Sequence, residues 1–142
     1  MATFTVSDWK AAFKTQLEAR GGLAGVEVYD HEVAVPDRAR EFIIIGDWEQ
    51  DDTHFAMGGR FEETVDITGR VVARKPDTAK AARDRALAIL KEVKDQLVAD
   101  AGTNNTAKDA HFRRARGEER IWADSGRECE IEFTVNVRAT NE

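Results

Sequence analysis

The stretch Phe61-Glu-Glu-Thr-Val-Asp-Ile-Thr-Gly-Arg-Val-Val-Ala73 decides how the rest of the chain is read. Phe61, Val65, Ile67, Val71 and Ala73 share one parity, and Glu62, Thr64, Asp66, Thr68 and Arg70 share the other. Successive side chains of a strand point to opposite faces, so a period of two over this length predicts one buried face and one wet face. Cys129 to Ala139 repeats the design. There Cys129, Ile131, Phe133, Val135, Val137 and Ala139 alternate with Glu130, Glu132, Thr134, Asn136 and Arg138. Two such strands need a shared apolar cover. Gly69, inside the first of them, predicts a bulge or bend.

Two amphipathic helices can provide that cover. The first is predicted over Ser7–Arg20, with Ser7 as N-cap, Asp8 near the positive end of the dipole, and Trp9, Ala12, Phe13 and Leu17 at helical spacing. Gly21 and Gly22 can close it in left-handed geometry. Pro76-Asp77-Thr78 introduces the second helix, Thr78–Ala99. Its stripe is Ala82, Ala86, Ile89, Leu90, Val93 and Leu97, and Lys80–Asp84 and Lys91–Asp95 form i,i+4 pairs on its charged face. Between the helices lie a short strand at Val26–Tyr29, a turn at Val35-Pro36-Asp37 and a strand at Glu41–Gly46. The run Phe42-Ile43-Ile44-Ile45 suits a strand covered on both faces. Asp47–Gly59 reads as a long polar loop, and Ala101–Gly117 as a mobile loop with Thr103-Asn104-Asn105-Thr106 at its tip. A short strand at Glu119–Ala123 and a turn at Asp124-Ser125-Gly126 lead into the last strand. The order α-β-β-β-α-(β)-β predicts a single α+β domain over residues 1–142. Its sheet is mainly antiparallel, of about four to five strands, with both helices packed on one face.

The net charge of −6 argues against a free-standing nucleic-acid binder, which needs a basic face to displace counterions from phosphate. Cys129 is the only cysteine, so no internal disulfide can form. It sits at an apolar position, as a small core hydrophobe in a chain expected to fold in a reducing cytoplasm. No apolar run approaches the ~20 residues of a membrane span, and the start of the chain lacks the pattern of a signal peptide. The charge is unevenly spread. Glu41 to Asp66 carries eight carboxylates against Arg60, whereas Arg74 to Lys94 carries seven bases against Asp77, Asp84 and Glu92. These two regions are candidates for unlike surfaces that meet between copies of the chain.

Motifs of chemistry are sparse. Asp51, Asp52 and His54 could serve a divalent cation, but without a glycine-spaced calcium loop or a paired-histidine motif a solvated acidic loop is the better reading. His31, His54 and His111 are far apart in the sequence. No glycine-framed serine, Cys-His signature or phosphate-binding loop is present, so no catalytic residue, cofactor or metal is expected. Arg113, Arg114 and Arg116, with His111 and Phe112, form the one dense basic cluster, read as a solvated loop ahead of a phosphate contact. Trp48 and Phe55 stand outside the periodic strands, where an aromatic is either tucked back as local core or held as a contact anchor.

With these segments in place, the chain resembles the tail terminator (tail completion) proteins of long-tailed bacteriophages. The similarity runs through the opening helix, Gly-Val-Glu-Val-Tyr-Asp at Gly25–Asp30, Glu-Phe-Ile-Ile-Ile-Gly-Asp at Glu41–Asp47 with its long loop, Glu-Glu-Thr-Val-Asp-Ile at Glu62–Ile67, the Lys/Arg-rich helix and the closing strand. The resemblance implies a non-enzymatic virion protein, made in the host cytoplasm and placed at the tail–neck junction. There a homo-oligomeric ring, typically a hexamer, caps the tail tube, ends its polymerisation and offers a surface to a head–tail connector or stopper protein. DNA passes through the lumen without sequence-specific binding. Candidate subunit-interface residues are Asp47, Trp48, Asp51, Asp52, Phe55, Lys80, Arg83 and Lys91, and candidate lumen residues are Glu62, Asp66, Glu130 and Glu132. The competing readings are another head–tail joining protein (a stopper or head-completion protein), a binding module using the Trp48 loop, and a metal-dependent enzyme built on Asp51, Asp52 and His54.

Overall fold

The computed structural model describes residues 4–34, 40–56, 60–76, 78–122 and 126–141. The side chains of 51–56, 60–62, 122, 140 and 141 are outside that description. Helix α1 spans Val6–Glu18, followed by a 3₁₀ turn at Gly21–Leu23. Strands β1 (Glu27–Tyr29), β2 (Glu41–Ala56) and β3 (Arg60–Lys75) precede helix α2 (Ala79–Ala99), and β4 (Asp109–Trp122) and β5 (Gly126–Asn141) complete the chain. The strands form one sheet in the order β1-β2-β3-β5-β4. β1 runs parallel to β2, and the other pairs are antiparallel, so the mainly antiparallel α+β arrangement holds.

The two periodic stretches become adjacent central strands. Val65 pairs with Val137, Ile67 with Val135, and Val71 with Ile131, which places both apolar parities on one face. α1 and α2 pack on that face. From α1 come Trp9, Phe13 and Leu17; from α2 come Ala82, Ala86, Ile89, Leu90, Val93 and Leu97, the stripe read from the sequence. Each large side chain fully buried here contributes about 1.5–3 kcal/mol. The Trp9 and Phe13 rings stack with centroids 4.9 Å apart. The thiol of Cys129 lies in the same layer, and burial pushes its pKa up, as befits an inert core residue. Arg20 ties the helix ends together, donating to Glu92 at 2.7 Å and Gln96 at 2.9 Å.

The Phe42–Ile45 run is covered on both sides by this chain itself. Ile43 and Ile45 join the helix-side core, while Phe42 and Ile44 cluster with Val72 against Tyr29 and Val33 on the opposite face. The segment after β1 therefore folds across that face. Thr78 caps α2 as expected, its hydroxyl accepting from Ala81 N at 3.0 Å.

Several local expectations are corrected. Thr5 caps α1, not Ser7: the Thr5 hydroxyl accepts from Asp8 N at 3.1 Å, and Ser7 falls inside the first turn. The left-handed glycine after α1 is Gly25, at φ 82°, not Gly21 or Gly22. Gly69 sits in unbroken register opposite Phe133, and the bulge lies on the neighbouring strand, between Ile45 and Trp48. Glycine is needed at 69 for space, since an added Cβ would stand 2.3 Å from Cζ of Phe133.

Two predicted loops are largely strand. Residues 47–56 continue β2 and residues 109–117 belong to β4. The cause is the same in both. After the β2 bulge the helix-side parity passes from Ile43 and Ile45 to Trp48 and Gln50. After a bulge between Phe112 and Arg114 it passes from Ala110 and Phe112 to Ala115 and Gly117. One extra residue destroys a period of two in the sequence while the ladder continues in space. The turn Val35-Pro36-Asp37 lies outside the described residues, as do Gly58 and Gly59 and the turn residues Asp124 and Ser125.

Residues 101–108 form a bonded turn ahead of β4. Thr103, Asn104 and Asn105 hold positive φ of 48°, 54° and 62°. That geometry is costly for a β-branched residue, about 1–3 kcal/mol, and it is held by Asp100. The Asp100 carboxylate accepts from Asn104 N at 2.7 Å and Gln16 Nε2 at 2.8 Å, and the backbone donation from Asn104 first of all holds its pKa below the ordinary carboxylate value. The Arg138 guanidinium does the same for Asp109 at the start of β4.

Two predictions follow from this geometry. A carboxylate whose folded pKa is depressed contributes stability above its unfolded pKa of ~3.9, and that contribution is lost as pH falls through the lower folded value. Urea unfolding should show a stability plateau at neutral pH and a decline below about pH 4, shallower in the Asp100→Asn and Asp109→Asn variants. Gly69→Ala should destabilise the fold by about 1–3 kcal/mol in the same assay, with partial recovery when Phe133 is changed to Leu.

Candidate assembly surfaces

The sheet face away from the helices carries the even-numbered side chains of β3 and β5, among which Glu62, Asp66, Glu130 and Glu132 would by themselves make it acidic. It is instead a lattice of ion pairs. Arg74 donates to Glu128 at 2.8 Å, and Arg120 reaches Glu128 at 3.0 Å, Glu130 at 2.8 Å and Glu118 at 3.2 Å. Arg70 bridges Glu32 and Glu130. Asp66 accepts from Arg113 at 2.6 Å and from Asn136 at 2.9 Å. The Glu128 side chain is only 8% exposed and Arg74 12%, so this pair is buried among its partners. Arg74 also lies over the Phe42 ring, 5.3 Å from its centroid. The sequence missed this because Arg70, Arg74 and Arg120 pair across strands whose neighbours a linear reading does not give, and Arg113 comes from a stretch that periodicity reads as loop.

The candidate lumen residues divide accordingly. Asp66 and Glu130 lie on this face and are paired, and Glu132 lies on it exposed. Glu62 pairs with Thr140 in register on β3, and its side chain is outside the described residues.

The candidate interface residues fall in two places. Asp47 and Trp48 sit at the bulge of β2, both exposed, with Trp48 at 53%. Asp51, Asp52 and Phe55 continue along β2, with side chains outside the described residues. Lys80, Arg83 and Lys91 lie on α2 and already have carboxylate partners: Asp84 for Lys80, Asp95 for Lys91 at 2.6 Å, and Glu119 on β4 for Arg83 at 3.4 Å. The fold therefore does not leave α2 as a bare basic surface.

A cleft of about 600 Å³ lies between the start of α1 and the β2–β3 hairpin, lined by Phe4, Lys10, Asp30, His31, Trp48 and Glu63 among others. Lys10 spans its wall, donating to Gly46 O at 2.8 Å. His31 sits beside Asp30 at 2.8 Å, a hydrogen bond that lowers the Asp30 pKa. Among the described residues, no group of three or more His, Cys, Asp or Glu side chains could hold a metal ion, and the side chains of Asp51, Asp52 and His54 are outside that set. His31 and His111 belong to different surfaces, one in the cleft and one on β4. No helix among the described residues is long and apolar enough to cross a membrane.

The basic cluster emerges as the free edge of the sheet. Arg113, Arg114 and Arg116 are exposed on β4, the outermost strand. Arg113 turns back onto Asp66, whereas Arg114 and Arg116 make no hydrogen bond or ion pair among the described residues.

No family model matches this chain, and neither does any curated protein. Among solved structures, it is similar to a chain in the virion of a native gene transfer agent particle, with a TM-score of 0.61 and 21% sequence identity over 92% of this chain and 94% of that one. The two share a fold over nearly their full lengths.

The buried lattice makes a quantitative prediction. Arg74→Met should destabilise the protein by about 2–4 kcal/mol in urea unfolding, since it strips one partner from a buried carboxylate. Adding Glu128→Met should recover part of the loss, because it removes the buried carboxylate left with Arg120 as its one remaining guanidinium partner among the described residues.

Proposed function

We propose that this chain is a structural protein of a tailed, phage-like virion, working at the tail–neck junction. In this reading copies of the chain assemble head to tail into a ring, six by the resemblance read in the sequence. The ring seats on the last layer of tail tube protein, ends tube growth and presents its other side to a connector or stopper. The observation that carries the reading is the fold shared over 92% of the chain with a chain of a gene transfer agent virion. The sequence resemblance to tail terminators, reached from the residues alone, points the same way.

The ion-paired sheet face suits the wall of a DNA passage. A bare row of arginines would hold phosphates by counterion release. Here Arg70, Arg74, Arg113 and Arg120 are already engaged by carboxylates, so a passing duplex meets a surface of spent charges. The work is mechanical: a closed ring stops polymerisation by covering the sites a further tube layer would need.

Electron microscopy of tails assembled with and without the protein tests this function. Tubes should grow beyond their normal length in its absence and return to that length when it is supplied. Tubes of normal length in its absence would refute the terminator role.

A further inference from the structure

The two edges of the sheet are open at the same height and carry opposite charge. On one side β1 pairs with β2 only at Phe42, Ile43 and Ile44, so among the described residues no strand flanks the outer side of β2 from Asp47 onward. On the other side β4 has β5 on one flank and no described strand on the other. The registers align the two edges. Trp48, Ile67, Val135 and Phe112 form one transverse row, and Ile45, Gly69, Phe133 and Ala115 form another. The Asp47 bulge and Arg114 lie in the same band between these rows, Glu49 lies one row beyond it, level with His111, and Arg116 lies on its other side, level with Ile44. Asp47 and Glu49 on β2, and Arg114 and Arg116 on β4, are all exposed and have no hydrogen-bond or ion-pair partner among the described residues.

We propose that these edges are the two halves of a seam with a second copy of this chain, antiparallel and offset by about two residues, in which Arg116 on β4 of one protomer faces Asp47 and Arg114 faces Glu49 on β2 of its partner. The proposal deepens the ring reading and rests on it for closure of the circle. Three features select a second copy as the occupant. The charges are complementary within a single chain. Strand direction also fits: β2 and β4 run in opposite senses within the sheet, so a neighbour that continues the sheet brings them together antiparallel. Like edges also repel, arginine against arginine and carboxylate against carboxylate, so the symmetric pairing of two β4 edges is disfavoured. A surface that rejects its own kind and accepts the other produces heterologous contacts, which repeat until they close. Trp48, half exposed on the helix side of the same band, supplies an apolar anchor, and Ala115 on β4 offers small, exposed surface on that side. Continuing the sheet in this way gathers all the helices on one wall of the assembly and the ion-paired faces on the other.

Charge exchange between purified variants tests the seam. Arg114→Glu/Arg116→Glu gives two acidic edges, and Asp47→Arg/Glu49→Arg gives two basic edges. Each alone should raise the apparent dissociation constant for self-association at least about tenfold at low salt, measured by sedimentation velocity and native mass spectrometry. Mixing the two should restore wild-type assembly with the variants alternating. Circular dichroism melting checks that each is folded, and Arg114→Gln/Arg116→Gln gives a milder version of the same test. As a second readout, Asp47→Cys/Arg116→Cys should give an intermolecular disulfide ladder on oxidation. The two positions are three strand spacings apart within one chain, roughly 14 Å or more, too far to bridge internally. Normal assembly of each variant alone, or a mixture that stays dissociated, overturns the seam while leaving the ring reading intact. So does assembly like the wild type with loss only of salt-dependent binding to duplex DNA, which would assign the β4 edge to nucleic acid. A wild-type protein that stays monomeric at every concentration and in the presence of tail tubes, with no disulfide ladder, overturns both.

Discussion

The apolar layer between α2 and the paired strands β3 and β5 is the constraint from which the rest of the molecule follows. Ala82 and Ala86 on α2 have small side chains, and Ile89, Val93 and Leu97 carry the contact along the helix against Val65, Ile67, Ile131 and Val135. Once that face is buried, the register of β3 on β5 is set, because a slip of one residue would turn every apolar side chain of the pair to water. α1 then completes the same layer with Trp9, Phe13 and Leu17. The polar parity is left no choice but the opposite face.

That opposite face is where folding adds chemistry that neither strand has alone. Carboxylates on β5 meet guanidiniums on β3 and β4, and Glu128 and Arg74 are sunk almost completely. A buried pair is weak support for stability in itself, since desolvation offsets most of the attraction. Its effect here is to fix which strands neighbour one another, because Glu128 and Glu130 meet Arg74 and Arg70 only when β3 lies on β5, and meet Arg120 only when β4 does. The result is a face with most of its charge internally matched, beside edges whose charge is not.

Burial and openness are thus distributed differently along the sheet. The sheet is committed on both faces near Phe42–Ile45 and Val72, while among the described residues Asp47–Glu49 and Arg114–Arg116 have a strand on one flank only and charges without a partner. Protein edges commonly carry charge and bulges to prevent random pairing, and both rims here have a bulge. Opposite signs on the two rims make that protection selective.

The sequence by itself determined the α+β class, both helices with the buried stripe of α2, the two central strands with their inward parity, the doubly covered Phe42–Ile45 run and the core position of Cys129. All of these follow from local periodicity, which survives wherever a strand or helix is regular. Only the tertiary structure decided that residues 47–56 and 109–117 are strand, since a bulge in each shifts the parity that a linear reading depends on. It alone decided that Glu130 and Asp66 are neutralised by arginines from another strand, and that Arg83 and Arg85 of α2 pair with Glu119 and Glu41. It also decided that Asp47 and Glu49 on β2 and the Arg113–Arg116 cluster on β4 stand on opposite sides of one sheet. Those are relations between residues about 10 to 70 positions apart, and backbone pairing creates them only after the apolar layer has formed.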